Sequence, residues 1–224
     1  MKIIDISGPI YTGMWSYADY YPQFELSSVE FEFGGEKYSV EVFKGMHSQV
    51  GTYMESSGIF EGEEKKGGLA AVPLEKLFML DTYIYQVDHS SLAEKDGRPY
   101  ITAEDLKKAE KQEVRENCAI LVGSGYGKNW DKKDYVQKAW FFSKDALYYL
   151  IDKKPFLLGG DSPVWENAVN PEGAFERFYK SGILLFAPCI NLEEVSAFKA
   201  KLVALPLKVL NSSVCPVRAV IVEE

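Results

Sequence analysis

Between Met46 and Phe60 the chain reads Met-His-Ser-Gln-Val-Gly-Thr-Tyr-Met-Glu-Ser-Ser-Gly-Ile-Phe, and this stretch holds the residues best suited to chemistry. Read as an extended strand, it sends Gln49, Gly51, Tyr53 and Glu55 to one face, because strand side chains alternate along the backbone. An amide, a phenol and a carboxylate then converge around the gap at Gly51. Polar groups gathered beside a gap suit a pocket floor better than a packed core. A carboxylate placed there can act as general acid or base, while a phenol and an amide can donate hydrogen bonds to a developing oxyanion. A half-exposed strand with an ordinary polar face accounts for the same residues.

The elements that must hold this stretch can be read on either side of it. Ile3-Ile4-Asp5-Ile6 is a short apolar strand closed by Ser7-Gly8-Pro9. An aromatic loop follows, with Tyr11, Trp15, Tyr17, Tyr20, Tyr21 and Phe24. Such a density of rings suggests a pocket wall, a lid over the core or a subunit contact. Val29, Phe31 and Phe33 alternate with glutamates, Gly34-Gly35 supplies a turn, and Tyr38, Val40 and Val42 alternate back, which predicts a hairpin. A charged loop is expected from Glu61 to Lys66. Further strands are expected at Leu77–Val87, Ala119–Val122, Phe156–Leu158, Ile183–Phe186, Lys201–Leu210 and Val217–Val222. Helices are expected from Thr102 to Gln112, from Ser143 to Lys153 and from Glu172 to Lys180, the first with Asp105 at the capping-box position. Gly123-Ser124-Gly125-Tyr126-Gly127 lacks the spacing of a dinucleotide fingerprint. Strands outnumber helices without strict alternation, so the chain reads as one α/β or α+β domain, 1–224, around a mostly internal sheet.

Composition narrows the partners. A formal charge of −8 argues against nucleic acid and against an anionic membrane, since either calls for a concentrated basic patch. The three cysteines, Cys118, Cys189 and Cys215, are far apart and form no C-x-x-C pair. Neither a zinc ribbon nor a disulfide framework is therefore expected. Met1-Lys2-Ile3-Ile4-Asp5 shows no signal-peptide pattern and no apolar run reaches spanning length, which sets a soluble, cytoplasmic protein as the expectation.

Several segments together resemble the cyclase family, the metal-dependent hydrolases that include bacterial kynurenine formamidase and isatin hydrolase. Ile4-Asp5-Ile6-Ser7-Gly8-Pro9-Ile10 with Gly13-Met14 is similar to that family's opening. Trp130-Asp131, Ser143 to Leu150 and Leu158-Gly159-Gly160-Asp161-Ser162-Pro163 are similar to its middle. Leu205-Pro206-Leu207-Lys208-Val209 and Cys215-Pro216-Val217-Arg218-Ala219-Val220 are similar to its end. The resemblance implies a swivelling β/β/α fold assembled as a homo-dimer or homo-tetramer, with Asp161 and Arg218 in structural roles.

The departure from the family lies in its metal motif, H-x-G-T-H-x-D-x-P-x-H, which falls on Gln49 to Ile59 through Gly51-Thr52. The ligand histidines fall on Gln49 and Tyr53, the aspartate on Glu55, the proline on Ser57 and the catalytic histidine on Ile59. Two later ligands fall on Phe175 and Ala187. A hydrolytic divalent ion needs about three protein donors and an open position for water. The resemblance thus implies no metal and no cofactor at this position, although a displaced site using His47 and Glu55 stays open.

Three readings of function follow. The first is a metal-independent enzyme acting on a small cyclic or aromatic molecule by cyclisation, dehydration or isomerisation. Glu55 is its acid or base, Tyr53 and Gln49 are its hydrogen-bond donors, and Trp15, His47, Ile59, Phe175 and Ala187 form its substrate-binding wall. The second is a non-catalytic small-molecule-binding pseudoenzyme, favoured by the apolar replacements Ile59, Phe175 and Ala187. The third is a metal-dependent amide or lactone hydrolase with atypical ligands.

Overall fold

The computed structural model describes residues 1–60 and 68–223, and the charged loop expected from Glu61 to Lys66 lies outside them. In chain order the first strands are β1 (Lys2–Asp5), β2 (Glu25–Phe33), β3 (Glu36–Lys44), β4 (Tyr53–Glu55), β5 (Leu80–Gln86), β6 (Ala93–Lys95) and β7 (Arg98–Ile101). After them come β8 (Ala119–Gly123), β9 (Phe141–Phe142), β10 (Leu157–Gly160), β11 (Leu184–Ala187), β12 (Lys199–Pro206) and β13 (Val214–Glu223). The helices are α1 (Ala103–Ala109), α2 (Lys144–Asp152) and α3 (Ala174–Lys180).

The main sheet runs β1-β13-β12-β5-β8-β10-β11-β4, and β4 pairs again with β13. That second pairing closes seven strands into a barrel, with β1 beside β13, so the mostly internal sheet expected from the sequence is a ring, in keeping with the β/β/α fold that the resemblance implied. β5, β8, β10 and β11 are mutually parallel. Covered on both faces, β8 and the start of β10 are continuous apolar runs rather than alternating ones. Met54, Ile84, Leu121, Phe186, Leu202 and Ile221 point into the ring and pack together. The intervening residues Tyr85, Ile120, Leu158 and Leu185 face outward and pack with Leu106 of α1, Leu147 of α2 and Phe178 of α3. A small second sheet, β6-β7-β9, had no clear signal in the sequence.

α1 starts as expected, with Thr102 and Asp105 making both bonds of a capping box. Ser143 stands before α2, but its hydroxyl donates to Ile101 O at 3.0 Å instead of capping the helix. β12 stops at Pro206, short of the expected Leu210, with one further bond from Leu207 N to Pro216 O at 3.1 Å. Cys118, Cys189 and Cys215 are buried free thiols. Among the described residues no helix is long and apolar enough to cross a membrane.

β2 and β3 form the expected hairpin, with φ of +63° and +82° at Gly34 and Gly35 for the tight turn. Its register pairs Val29 with Val40, Phe31 with Tyr38 and Ser27 with Val42, placing these side chains on one face. Glu30, Glu32 and Glu41 occupy the other face. The apolar face is open: Val29, Phe31, Phe33, Tyr38 and Val40 are all exposed.

The strand expected across Met46–Phe60 is only three residues long. Gly51 has a φ of +71°, a left-handed turn that a continuous strand does not allow, and a Cβ there would meet Ile10 Cγ1 at 2.8 Å. Before it, Val50 N donates back to His47 O at 3.3 Å, folding residues 47–50 into a turn. Thr52 then anchors the segment. It is buried, accepts from Gly8 N at 2.9 Å and donates to Pro188 O at 2.6 Å. The Gly-Thr pair therefore frames the site by backbone geometry and packing, even where the neighbouring ligand positions differ.

Candidate functional site

β4 carries the central group. Glu55 pairs with Leu185 of β11 on one side and Val214 of β13 on the other, and its side chain is 3% exposed. Gln49 reaches it across the turn at Gly51, not along a strand face, and donates from Nε2 to Glu55 Oε2 at 3.2 Å. The Tyr21 hydroxyl donates to Gln49 Oε1, which fixes which end of the amide points at the carboxylate. From α3, the Tyr179 hydroxyl donates to Glu55 Oε1. Both carboxylate oxygens therefore accept a hydrogen bond, the pattern of an ionised group.

Burial pushes the Glu55 carboxyl above the ordinary carboxylate range, and the hydrogen bonds from Tyr179 and Gln49 pull it back in part. Burial also pushes the Tyr53 and Tyr17 phenols well up, with Glu55 nearby adding to the effect. Both phenols stay protonated at neutral pH. Their rings meet edge to face at 6.0 Å. Their hydroxyls lie close together, yet the Tyr17 oxygen is buried with no well-formed hydrogen bond among the described residues.

A cavity of about 270 Å³ opens over Glu55. Gln49, Tyr53, Ile59 and Phe175 line it beside Glu55, so these five sequence candidates meet in one place. Ile59 is 44% exposed and stands at the mouth. Trp15, His47 and Ala187, which the sequence reading placed on the same wall, lie outside this cavity. Trp15 packs instead against Trp130 and Tyr135, with ring centres 5.0 and 4.9 Å away. Trp15 and His47 border only a crevice of about 10 Å³, room for roughly one water. His47 stacks on Tyr21 at 4.7 Å and accepts from Gln49 N at 3.3 Å, and burial lowers its pKa. Ala187 is buried beside Tyr53 in the β4–β11 register, and Leu185, one pleat away, lines the cavity in its place.

Tyr179, Trp165 and Pro163 also line the cavity and were not singled out from the sequence. The signal for Tyr179 was present: it follows Phe175 by four residues on an expected helix, and the two rings stack at 5.5 Å. Tyr17, Tyr20 and Tyr21 bring the aromatic loop onto the same cavity. The loop is thus a pocket wall. Trp15 and Phe24 are buried, and Tyr20 is the large ring left exposed.

The donor set does not fit a hydrolytic divalent ion. Glu55 is the one charged donor, Gln49 Oε1 is held by the Tyr21 hydroxyl, Tyr53 is a protonated phenol, and Phe175 and Ala187 have no side-chain donor atom. Among the described residues no group of three or more His, Cys, Asp or Glu side chains is placed to share an ion.

The glycine-rich loop after β8 serves another carboxylate. Asp161 is fully buried at the end of β10 and accepts from Ser124 N and Tyr126 N, both at 2.8 Å, and from Trp140 Nε1 at 2.9 Å. Burial raises its pKa to about 6 against these opposing bonds. Arg218 makes a two-pronged ion pair with Asp5, at 3.1 and 2.6 Å, tying β13 to the end of β1. Neither residue lines the cavity over Glu55.

Comparison with known proteins places these features. The model of the Cyclase family matches residues 4–167. An isatin hydrolase bound to the product analogue thioisatinate is 18% identical, covers 99% of this chain and 92% of its own, and superposes with a TM-score of 0.78. Isatin hydrolase A from Labrenzia aggregata, bound to benzyl benzoate, is 16% identical over 100% of this chain and 94% of its own, with a TM-score of 0.79. A predicted metal-dependent hydrolase from Bacillus stearothermophilus is 20% identical over 98% of this chain and 97% of its own, with a TM-score of 0.73. No curated protein matches.

Proposed function

Because the chain belongs to the cyclase family, whose fold it shares with metal-dependent hydrolases, we propose that it keeps the family's pocket and works there by metal-independent acid/base chemistry on a small molecule. One observation carries this reading: a single buried carboxylate, Glu55, is held by Tyr179 and Gln49 at the floor of a 270 Å³ cavity. A dry carboxylate with a raised pKa is a stronger base than one in water. Glu55 takes a proton from a carbon or nitrogen of the bound molecule and Tyr53 donates to the oxygen where charge develops. Returning the proton to a different atom completes an isomerisation. Delivering it to a hydroxyl that leaves as water completes a dehydration. Amide hydrolysis suits the site less well, since the donor set does not fit an ion that would both activate water and polarise the carbonyl.

The test is turnover of a cyclic or aromatic substrate by chelator-treated protein. Glu55→Gln keeps size and shape but not the exchangeable proton, so turnover should fall by roughly 10²-fold or more, the scale of general acid–base catalysis. Ile59→His alone should restore no metal-dependent hydrolysis, because the other donors stay absent. Turnover at the wild-type rate in Glu55→Gln removes Glu55 as the catalyst. A wild type that binds such molecules and converts none of them makes the protein a binding pseudoenzyme, a reading favoured by the apolar wall of Ile59, Phe175 and Leu185.

The same proposal includes self-association. The open face of the β2–β3 hairpin is an exposed apolar surface. Strands of nine residues give a face of roughly 30 by 10 Å, so two exchanged hairpins and the surfaces beneath them bury about 1,200 Å² in total, enough for a stable interface. The body offers a receiving surface, a groove of about 480 Å³ lined by Ile10, Met46, Leu207 and Val217, with exposed Leu205, Val209 and Leu210 nearby. A second copy satisfies both surfaces through one two-fold axis.

A further inference from the structure

The cavity over Glu55 has a charge imbalance that its own residues leave unresolved. Seven of its twelve lining residues are aromatic: Tyr17, Tyr20, Tyr21, Tyr53, Trp165, Phe175 and Tyr179. The remainder are Gln49, Ile59, Pro163 and Leu185 around the one carboxylate, and none of the twelve bears a positive charge. Among the described residues no lysine, arginine or histidine forms an ion pair with Glu55. Its partners are neutral donors, one to each oxygen. An isolated carboxylate in a dry setting calls for a counter-charge. Aromatic faces attract a cation and repel an anion, because each ring presents its negative quadrupole to whatever lies over it.

We propose that this cavity takes a small organic cation, a molecule with a protonated primary or secondary amine, whose ammonium sits over the aromatic faces and donates to Glu55. Each Glu55 oxygen accepts one bond and keeps a free lone pair for an N–H donor. The buried Tyr17 hydroxyl, without a well-formed partner of its own, provides a further acceptor at the wall. The volume of about 270 Å³ admits a compact amine and excludes a peptide. The ammonium also supplies the counter-charge that the neutral donors Tyr179 and Gln49 do not. The inference rests on the cavity being the binding site of the proposed function, and not on Glu55 being a catalyst.

Three probes of similar shape and different charge test it: 2-phenylethylammonium, the neutral 2-phenylethanol and the anionic phenylacetate, each titrated into the wild-type protein by calorimetry and ligand-observed NMR at neutral pH. The ammonium should bind at least ten-fold tighter than the alcohol, and the carboxylate should not bind. Glu55→Gln should remove most of that preference. Equal affinity for ammonium and alcohol, tighter binding of phenylacetate, or no binding of any probe at millimolar concentration overturns the inference. So does an ammonium preference that survives intact in Glu55→Gln. If that variant does not fold, the wild-type comparison decides alone. Loss of turnover in Glu55→Gln with no preference for a cation sinks this inference and spares the acid/base function, whereas cation preference with no turnover does the reverse.

Discussion

Two carboxylates in this protein are buried for opposite ends. Glu55 faces a cavity, and Asp161 is fully buried and faces three N–H donors. The raised pKa of Asp161, about 6 against an ordinary 3.8, sets the sign of its effect on stability. Its stabilising contribution is complete below about pH 4 and is lost as the pH rises through 6, on the order of 3 kcal/mol. Urea titrations should therefore find the gap in stability between wild type and Asp161→Asn larger at pH 4 than at pH 7. A gap that does not change with pH denies Asp161 this role. Tyr179 makes a different prediction. Its hydrogen bond lowers the Glu55 pKa, so Tyr179→Phe should move the acidic limb of the kcat/KM profile to higher pH, since Glu55 must be ionised to act as base. An unmoved limb means that Tyr179 does not tune Glu55.

At the level of elements, the local features were legible from the residues themselves, and the long-range ones only through the family resemblance, whose fold the structure shares. The β2–β3 hairpin followed from alternation around Gly34-Gly35, and the capping box of α1 from Thr102 and Asp105, because each is decided within a few residues. The three-residue β4 was overextended, since period-two reading ignores what a left-handed glycine does to a strand. At Gly51 both the φ of +71° and the contact with Ile10 oppose a side chain. Gly51→Ala should cost about 1–3 kcal/mol in denaturant unfolding and loosen the Gln49–Glu55 bond. A variant as stable as wild type removes the turn from the account of the site. The ring closure was hidden from the local reading as well, because it depends on β4 meeting β11 and β13 from distant parts of the chain. Of the site itself, Gln49, Tyr53 and Glu55 could be named from one short stretch and Tyr179 from its spacing to Phe175, whereas Trp165 and Leu185 reach it only through folding.

For the molecule as a whole, the exposed hairpin predicts that the monomer is not the working form. Light scattering at micromolar concentration should return a dimer or larger, and replacing Phe31 and Val40 by serine should shift the mass toward 25.3 kDa. A wild type that is monomeric under those conditions contradicts self-association. The closure of the barrel has a further meaning for how this protein can change. β4 is bonded to β11 and to β13, so the strand that presents Glu55 is also the seam of the ring. Moving the carboxylate to suit a new ligand would unpick the barrel. The opposite wall, made by the aromatic loop and α3, carries no such duty. Adaptation to new ligands is therefore easier at Tyr17, Tyr20, Tyr21, Phe175 and Tyr179, away from the seam, than at the acid itself.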